Sequence, residues 1–295
     1  MHPRNIVRGI LYMCAASAIF PIMNAMVKHL SADLPTPEIV WARNLSHLVF
    51  VILIFAPRFG RRLAATTRLK SQILRSCFLL GSNVFYFTAM AYVPLAEASA
   101  ISFISPFLVA LIAAFVLREK VAIAHWLAIA AGFVGALIII RPGSGDLPWQ
   151  AVFVLGSSCC YATYQVLTRE VAGDDSPETS VFYASLVGSL LTSLAVPFAW
   201  VTPRDVWMVL ELASLGVFGG LGHYCVARAL MWGPAPIISP FQYVQLLAAS
   251  LFGYFIFGDV PSPWTYVGAV IIVASGVSIA LRARREEQAA KKAAI

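Results

Sequence analysis

The chain has 295 residues, 60% of them hydrophobic and 12% charged, with a formal net charge of +7. A soluble domain carries roughly 25% charged residues, so this composition excludes an ordinary water-soluble fold and points to the bilayer. The basic excess does not mark a nucleic-acid surface, because the Lys and Arg residues stand in short segments beside long apolar runs.

A membrane span takes about 20 apolar residues. Ten such runs follow one another, at 7–28, 37–56, 72–92, 96–117, 122–140, 148–168, 178–200, 206–230, 235–257 and 263–281. The first follows Arg4 and Arg8 but continues through Val27 and is followed by nine more, so it reads as an uncleaved helix rather than a signal peptide. On it Ser17, Phe20 and Asn24 share one helical face. The second carries Trp41-Ala42-Arg43, with Ile39, Arg43 and Ser46-His47 on one face that must turn inward. A guanidinium at mid-span costs roughly 2.5–3.5 kcal/mol on insertion scales, so Arg43 needs compensation. It either clamps a substrate carboxylate or locks helices together through an internal ion pair or carbonyl contacts.

On the third span Asn83, Tyr86 and Met90 line up; the fourth holds Glu97 in its first turn behind Pro94, and Phe103 further along. Glu97 has four open roles: partner of Arg43, recognition of a substrate amino group, carrier of a coupling proton, or a wet carboxylate at a helix start. The sixth span aligns Ser158, Tyr161, Gln165 and Thr168. Gly216, Gly219, Gly220 and Gly222 crowd the eighth, where no strand precedes them, so close helix packing explains them better than a phosphate loop. On the ninth, Gln242, Tyr243 and Gln245 follow Pro240. Pro21, Pro106 and Pro240 lie inside spans and bend them, either as hinges or as static curvature.

Orientation follows from the Lys and Arg distribution. With the N-terminus inside, only Lys28, Arg141 and Arg204 of the 21 basic residues fall outside, and Arg43 is within a span. Both termini are then cytoplasmic. Cys14, Cys77, Cys159, Cys160 and Cys225 fall within spans without metal-ligand spacing and read as small apolar filler; His2, His29, His47, His125 and His223 are scattered.

Shifted by 140 residues, the second half partly reproduces the first. Thr36-Pro37-Glu38 falls on Ser176-Pro177-Glu178, and Ala89, Pro94, Ser99, Leu111 and Phe115 fall on Ala229, Pro234, Ser239, Leu251 and Phe255. Five spans per half send the second copy through the membrane the opposite way, the sign of an inverted-repeat transporter with its site between the halves. The expected fold is therefore an all-α integral membrane protein of ten transmembrane helices, two inverted five-helix repeats around a central cavity. The units are 1–144 and 145–282, with a charged cytoplasmic tail at 283–295.

Two tandem five-helix units, Arg43 in the second span, and the stretch from Pro94 through Pro106 to Arg118-Glu119 resemble the drug/metabolite transporter superfamily, EamA type. Pro234 to Gly258-Asp259 echoes that stretch in the second unit. Within the superfamily the pattern is similar to the bacterial YddG-type exporters of aromatic amino acids. The resemblance implies a secondary transporter in the bacterial inner membrane that exports aromatic or other apolar amino acids and uses no cofactor or metal. An enzyme acting on lipid-linked substrates would need clustered acids or metal ligands, which are absent from the sequence pattern. Polar groups facing lipid would go unsatisfied, so the polar faces turn inward around the substrate. Phe20, Asn24, Arg43, Asn83, Tyr86, Glu97, Phe103, Tyr161, Gln165, Gln242, Tyr243 and Gln245 are the expected binding residues. Tyr183 stands where the first unit has Arg43, and substrate choice is expected where the copies differ in this way. The expected partners are a small molecule and membrane lipid, and no nucleic acid.

Overall fold

A computed structural model describes residues 6–93, 95–117, 122–140 and 149–257, and positions 263, 264, 266–268, 270, 271, 274, 275, 278, 281 and 282. Pro94, Arg118, Glu119, Gly258, Asp259 and the tail at 283–295 lie outside the described residues, as do the side chains of Glu97 and Phe103.

The described residues form helices: α1 (Ile6–Leu30), α2 (Thr36–Phe59), α3 (Leu69–Met90), α4 (Leu95–Ile101), α5 (Ser105–Val116), α6 (Ile123–Ile140), α7 (Ala151–Val171), α8 (Pro177–Ala195), α9 (Val206–Trp232), α10 (Ala235–Ile238) and α11 (Val244–Phe257). Among the described residues six segments are long and apolar enough to cross a membrane: Ile6–Leu30, Thr36–Ala64, Leu69–Met90, Pro177–Phe198, Val206–Trp232 and Ala235–Ile256. The fourth expected run is instead broken, as α4, a 3₁₀ turn at Ser102–Ile104, and α5. The ninth is broken in the same manner, with 3₁₀ at Ser239–Tyr243 between α10 and α11. Pro106 and Pro240 explain both breaks, since each removes a backbone donor and crowds the preceding turn. The carbonyl of Phe241, inside the second break, accepts a bond from Ser17 Oγ at 3.4 Å. The sixth run appears as α7, which carries Ser157, Ser158, Tyr161, Gln165 and Thr168.

Both halves start their second helix alike. Pro37 and Pro177 occupy the first turns of α2 and α8, where a missing N–H costs nothing, and Ser176 Oγ caps α8 by accepting from Thr179 N at 3.1 Å. Packing between the halves is reciprocal: α1 lies on α9 as α7 lies on α3, and α2 lies on α8. The matched residues share environments too. Ala89 and Ala229 are buried, as are Ser99 and Ser239, whereas Phe115 and Phe255 are 78% and 76% exposed on the apolar outer surface.

Glycines set the closest approach, between α9 and α2. A Cβ on Gly216 would collide with the His47 backbone nitrogen, and one on Gly220 would lie 2.8 Å from His47 Cδ2. The expected role of these glycines in packing agrees with this geometry. Cysteine behaves differently from expectation: Cys77 and Cys159 are exposed on the bundle's outer face rather than filling its core.

Candidate functional site

A partly open cavity lies among α1, α3, the broken α4–α5 segment, α7, α9 and the start of α11. Ring carbons of Phe20, Tyr86, Phe87 and Tyr161 alternate on its wall with the amides of Asn24, Asn83, Gln242 and Gln245 and the hydroxyls of Ser102, Ser105 and Ser158. Each helix contributes through its helical repeat: Phe20, Met23 and Asn24 on α1, and Ser82, Asn83, Tyr86 and Phe87 on α3. The seam between α3 and α7 is fixed by Ser82 and Ser157, whose hydroxyls are 2.9 Å apart, with Ser157 Oγ also donating to the Ser82 carbonyl at 2.9 Å. Asn83 Nδ2 is buried without a hydrogen-bond partner.

Of the expected binding residues, Phe20, Asn24, Asn83, Tyr86, Tyr161, Gln242 and Gln245 thus meet at one cavity. Gln165 stands one residue behind the wall, where its Oε1 accepts from Gln242 Nε2 at 3.1 Å and holds that amide in place. Tyr243 does not reach the cavity. Its ring packs against Gly132 on α6 and its hydroxyl donates to the Ile129 carbonyl at 3.3 Å, because adjacent residues in a helical turn face different neighbours. Glu97 and Phe103 lie in helical backbone, but their side chains are outside the described residues. Tyr183, the second copy's counterpart of Arg43, is not among the residues lining the cavity; its hydroxyl donates to the Ala64 carbonyl at 2.8 Å.

Arg43 is 1% exposed and shares the Gly219 surface of α9 with Met23. Its Nη1 donates to Asn44 Oδ1 at 3.1 Å, while Nε and Nη2 have no partner. Among the described residues no carboxylate forms an ion pair with it. Two of the histidines meet: His47 and His223 lie beside Arg43 with ring centroids 6.3 Å apart and planes 19° apart, and His223 lines the cavity. Sequence reasoning missed His223 because α2 and α9 are joined only by their crossing, not by any local spacing.

It also missed Arg75, near the start of the third span, which is fully buried. Its guanidinium donates to Gln72 Oε1 and the Ser180 carbonyl, each at 2.7 Å, and to Thr168 Oγ1 at 3.1 Å, and lies over the Tyr164 ring at 5.0 Å. Gln72 in turn donates to Asp175 at 2.7 Å, and Arg68 to Asp174 at 2.7 Å. Asp174 pushes the Arg68 pKa further up, through both its hydrogen bond and its charge. This network ties α3, α7 and α8 together at one end of the bundle. Ser82, the nearest cavity residue on α3, is seven residues further along, about 10 Å of helix rise. At the opposite end Arg204 pairs with Asp33 at 2.6 Å, His29 with Glu211 at 3.0 Å, and the Val201 N–H donates to the buried Glu38 at 2.9 Å.

Comparison with known proteins decides the family. The EamA-like transporter family profile matches twice, at residues 7–141 and 148–281. The chain belongs to the EamA-like transporter family. It is therefore a multi-pass membrane transporter of the drug/metabolite superfamily and not an enzyme. Named relatives of this EamA-like chain are alike over nearly their whole length. A riboflavin transporter of Vibrio cholerae is 29% identical, covering 93% of this chain and 92% of its own. An S-adenosylmethionine uptake transporter of Rickettsia prowazekii is 23% identical, covering 92% and 91%. The pseudopaline exporter CntI of Pseudomonas aeruginosa is 31% identical, covering 92% and 95%. A solved crystal structure shares the fold with a TM-score of 0.76 at 19% identity, covering 95% of this chain and 98% of that one.

Proposed function

We propose that this EamA-like chain is a secondary transporter of small amphiphilic metabolites that combine an aromatic body with a polar head, moved by alternating access. The observation that carries this reading is the cavity wall, where the rings of Phe20, Tyr86, Phe87 and Tyr161 are interleaved with four amides. Rings offer faces for a flat apolar body, and amides with spare donors and acceptors suit its polar end. Ten helices in two inverted five-helix repeats, 1–144 and 145–282, would place the cavity between copies that exchange conformations. Reciprocal packing of α1 on α9 and α7 on α3 supports that arrangement. The bundle lies in the bacterial inner membrane with both termini and the tail at 283–295 cytoplasmic.

Aromatic and other apolar amino acids, moved outward, are the first candidates. Riboflavin is the second, because a relative named for it aligns over 92% of its own length and its flat ring fits the same wall chemistry. The relatives include one named for uptake and one for export, so direction is a separate property to measure. Liposomes holding the purified protein and loaded with labelled tryptophan, phenylalanine or riboflavin should release at least one of them faster than protein-free liposomes. Tyr161→Ala and Asn83→Ala should each slow that release severalfold. An imposed pH gradient should reveal the coupling, and overproducing cells should tolerate toxic aromatic amino-acid analogues. Folded protein that moves none of the three probes would overturn the aromatic reading while leaving the family assignment intact.

A further inference from the structure

Behind the cavity wall lies a group of nitrogen-bearing side chains with no acid paired to it among the described residues. Arg43 leaves Nε and Nη2 unpartnered, and both ring nitrogens of His47 are buried without a partner. His223 makes one long contact, Nδ1 to the Tyr164 hydroxyl at 3.4 Å, and its ring is tilted against Phe20 with centroids 5.0 Å apart. Among the described residues no carboxylate lies within ion-pair distance of Arg43. A buried guanidinium with two idle donors is expensive, and natural proteins keep such groups where a ligand completes them.

The access route is short. A Cβ on Gly219 would be 3.1 Å from Arg43 Nε and Nη2 and 3.3 Å from Met23 Sδ, so guanidinium and thioether share one glycine floor. Met23 lines the cavity, and methionine's unbranched chain shifts readily between rotamers. Met23 thus touches both the cavity and the Gly219 surface on which Arg43 rests. On the far side of the same floor, Gly220 brings His47 against α9, one helical turn from His223.

We propose that Arg43, His47 and His223 form an oxyanion site that takes the acid group of the substrate together with a proton. The inference rests on the cavity being the binding site for an aromatic amphiphile and adds the charge of its head group. A planar carboxylate matches the two idle guanidinium donors as a fork. A proton on either imidazole places a second positive charge near Arg43, and like charges repel strongly where water is scarce. An anion between them turns both interactions attractive, so anion and proton bind better together than apart.

The other titratable or charged groups facing the imidazoles are Arg75 from α3 and Tyr161 and Tyr164 from α7. From α8, Glu178 is engaged by the Tyr224 hydroxyl at 2.9 Å and Tyr183 by the Ala64 carbonyl. On α9 itself, Arg228 is held on the Tyr224 hydroxyl at 3.0 Å. Toward this group α1 turns Phe20 and Met23. The proton therefore has two candidate seats, His47 and His223.

The test uses the full-length protein in lipid nanodiscs and a matched pair of probes, indole-3-acetate and its neutral analogue indole-3-acetamide, followed by titration calorimetry. The wild type should bind the carboxylate at least about tenfold tighter than the amide, the scale of a charge-assisted paired hydrogen bond. Carboxylate affinity should rise as pH falls from 8 to 6, by up to about tenfold per pH unit for one linked proton. Heats measured in two buffers of different ionisation enthalpy should show proton uptake on binding. Arg43→Gln should bring the carboxylate down to the amide's affinity, and His47→Gln with His223→Gln should abolish proton uptake. The wild-type comparison needs no variant to fold. If both probes bind equally, the aromatic cavity stands and the oxyanion site is overturned. If the carboxylate binds tighter but with no pH dependence or proton uptake, the anion belongs to Arg43 alone and the role of the histidines is overturned. If neither probe binds, the cavity reading fails and this inference fails with it.

Discussion

Gly216 and Gly173 differ in what a methyl group would meet, and that difference is measurable. At Gly216 a Cβ runs into the backbone of His47, which cannot swing aside; at Gly173 it meets nothing within 4 Å. Gly216→Ala should destabilise the protein by about 1–3 kcal/mol, the usual cost of overpacking, and Gly173→Ala by no more than about 0.5 kcal/mol. Thermal unfolding in detergent reads both. Equal melting temperatures for the two variants would refute the proposed close seat of α2 on α9. At this scale the sequence was informative where a single helix carries the pattern. Phe20 with Asn24, and Asn83 with Tyr86, face the cavity as their three- and four-residue spacing demands. It was silent where a site is assembled across helices. His47 and His223 are 176 positions apart, and no local pattern announces that they will face each other. Arg75 was missed for a related reason: its partners Thr168 and Ser180 come from the other half of the chain.

Among the helices, the tie between α3, α7 and α8 makes its own prediction. Arg75→Met would leave Gln72 Oε1, Thr168 Oγ1 and the Ser180 carbonyl without their donor. Hydrogen bonds to charged groups contribute about 1.5–3 kcal/mol each, so the variant should melt well below the wild type in detergent. Tyr183→Phe, which loses one edge contact to the Ala64 carbonyl, should melt close to it. A small change at Arg75 and a large one at Tyr183 would reverse the assignment of the two residues. Element boundaries were legible wherever prolines and apolar runs agree, as at Pro37 and Pro177. The two breaks were harder to read. Pro106 and Pro240 announce bends, but whether a bend becomes a 3₁₀ turn depends on what receives the released carbonyls. Ser17, on α1, receives one of them.

For the whole molecule, the Lys and Arg asymmetry predicts where the chain ends. A green fluorescent protein fused after residue 282 should fluoresce in cells, and alkaline phosphatase fused at the same point should be inactive; the opposite pair of results would invert the proposed topology. The duplication was the feature most legible from sequence alone. A 140-residue shift matches Ala89 to Ala229 and Phe115 to Phe255, and each pair shares its environment in the fold. Chemistry is less evenly shared. Arg43 has no counterpart cation, and its histidine neighbours stand at positions the shift does not relate.

Both 3₁₀ turns border the cavity, with Ser102 and Gln242 on its wall. Where α-helical pairing gives way to the tighter form, main-chain carbonyls and N–H groups change partners, and those groups belong to the backbone rather than to any side chain. Recognition through them leaves no trace in an alanine scan, which deletes only what lies beyond Cβ. A map of this transporter made by side-chain replacement is therefore blind to any backbone contact along α4–α5 and α10–α11. Replacing single amides by esters in those two turns would recover the missing part.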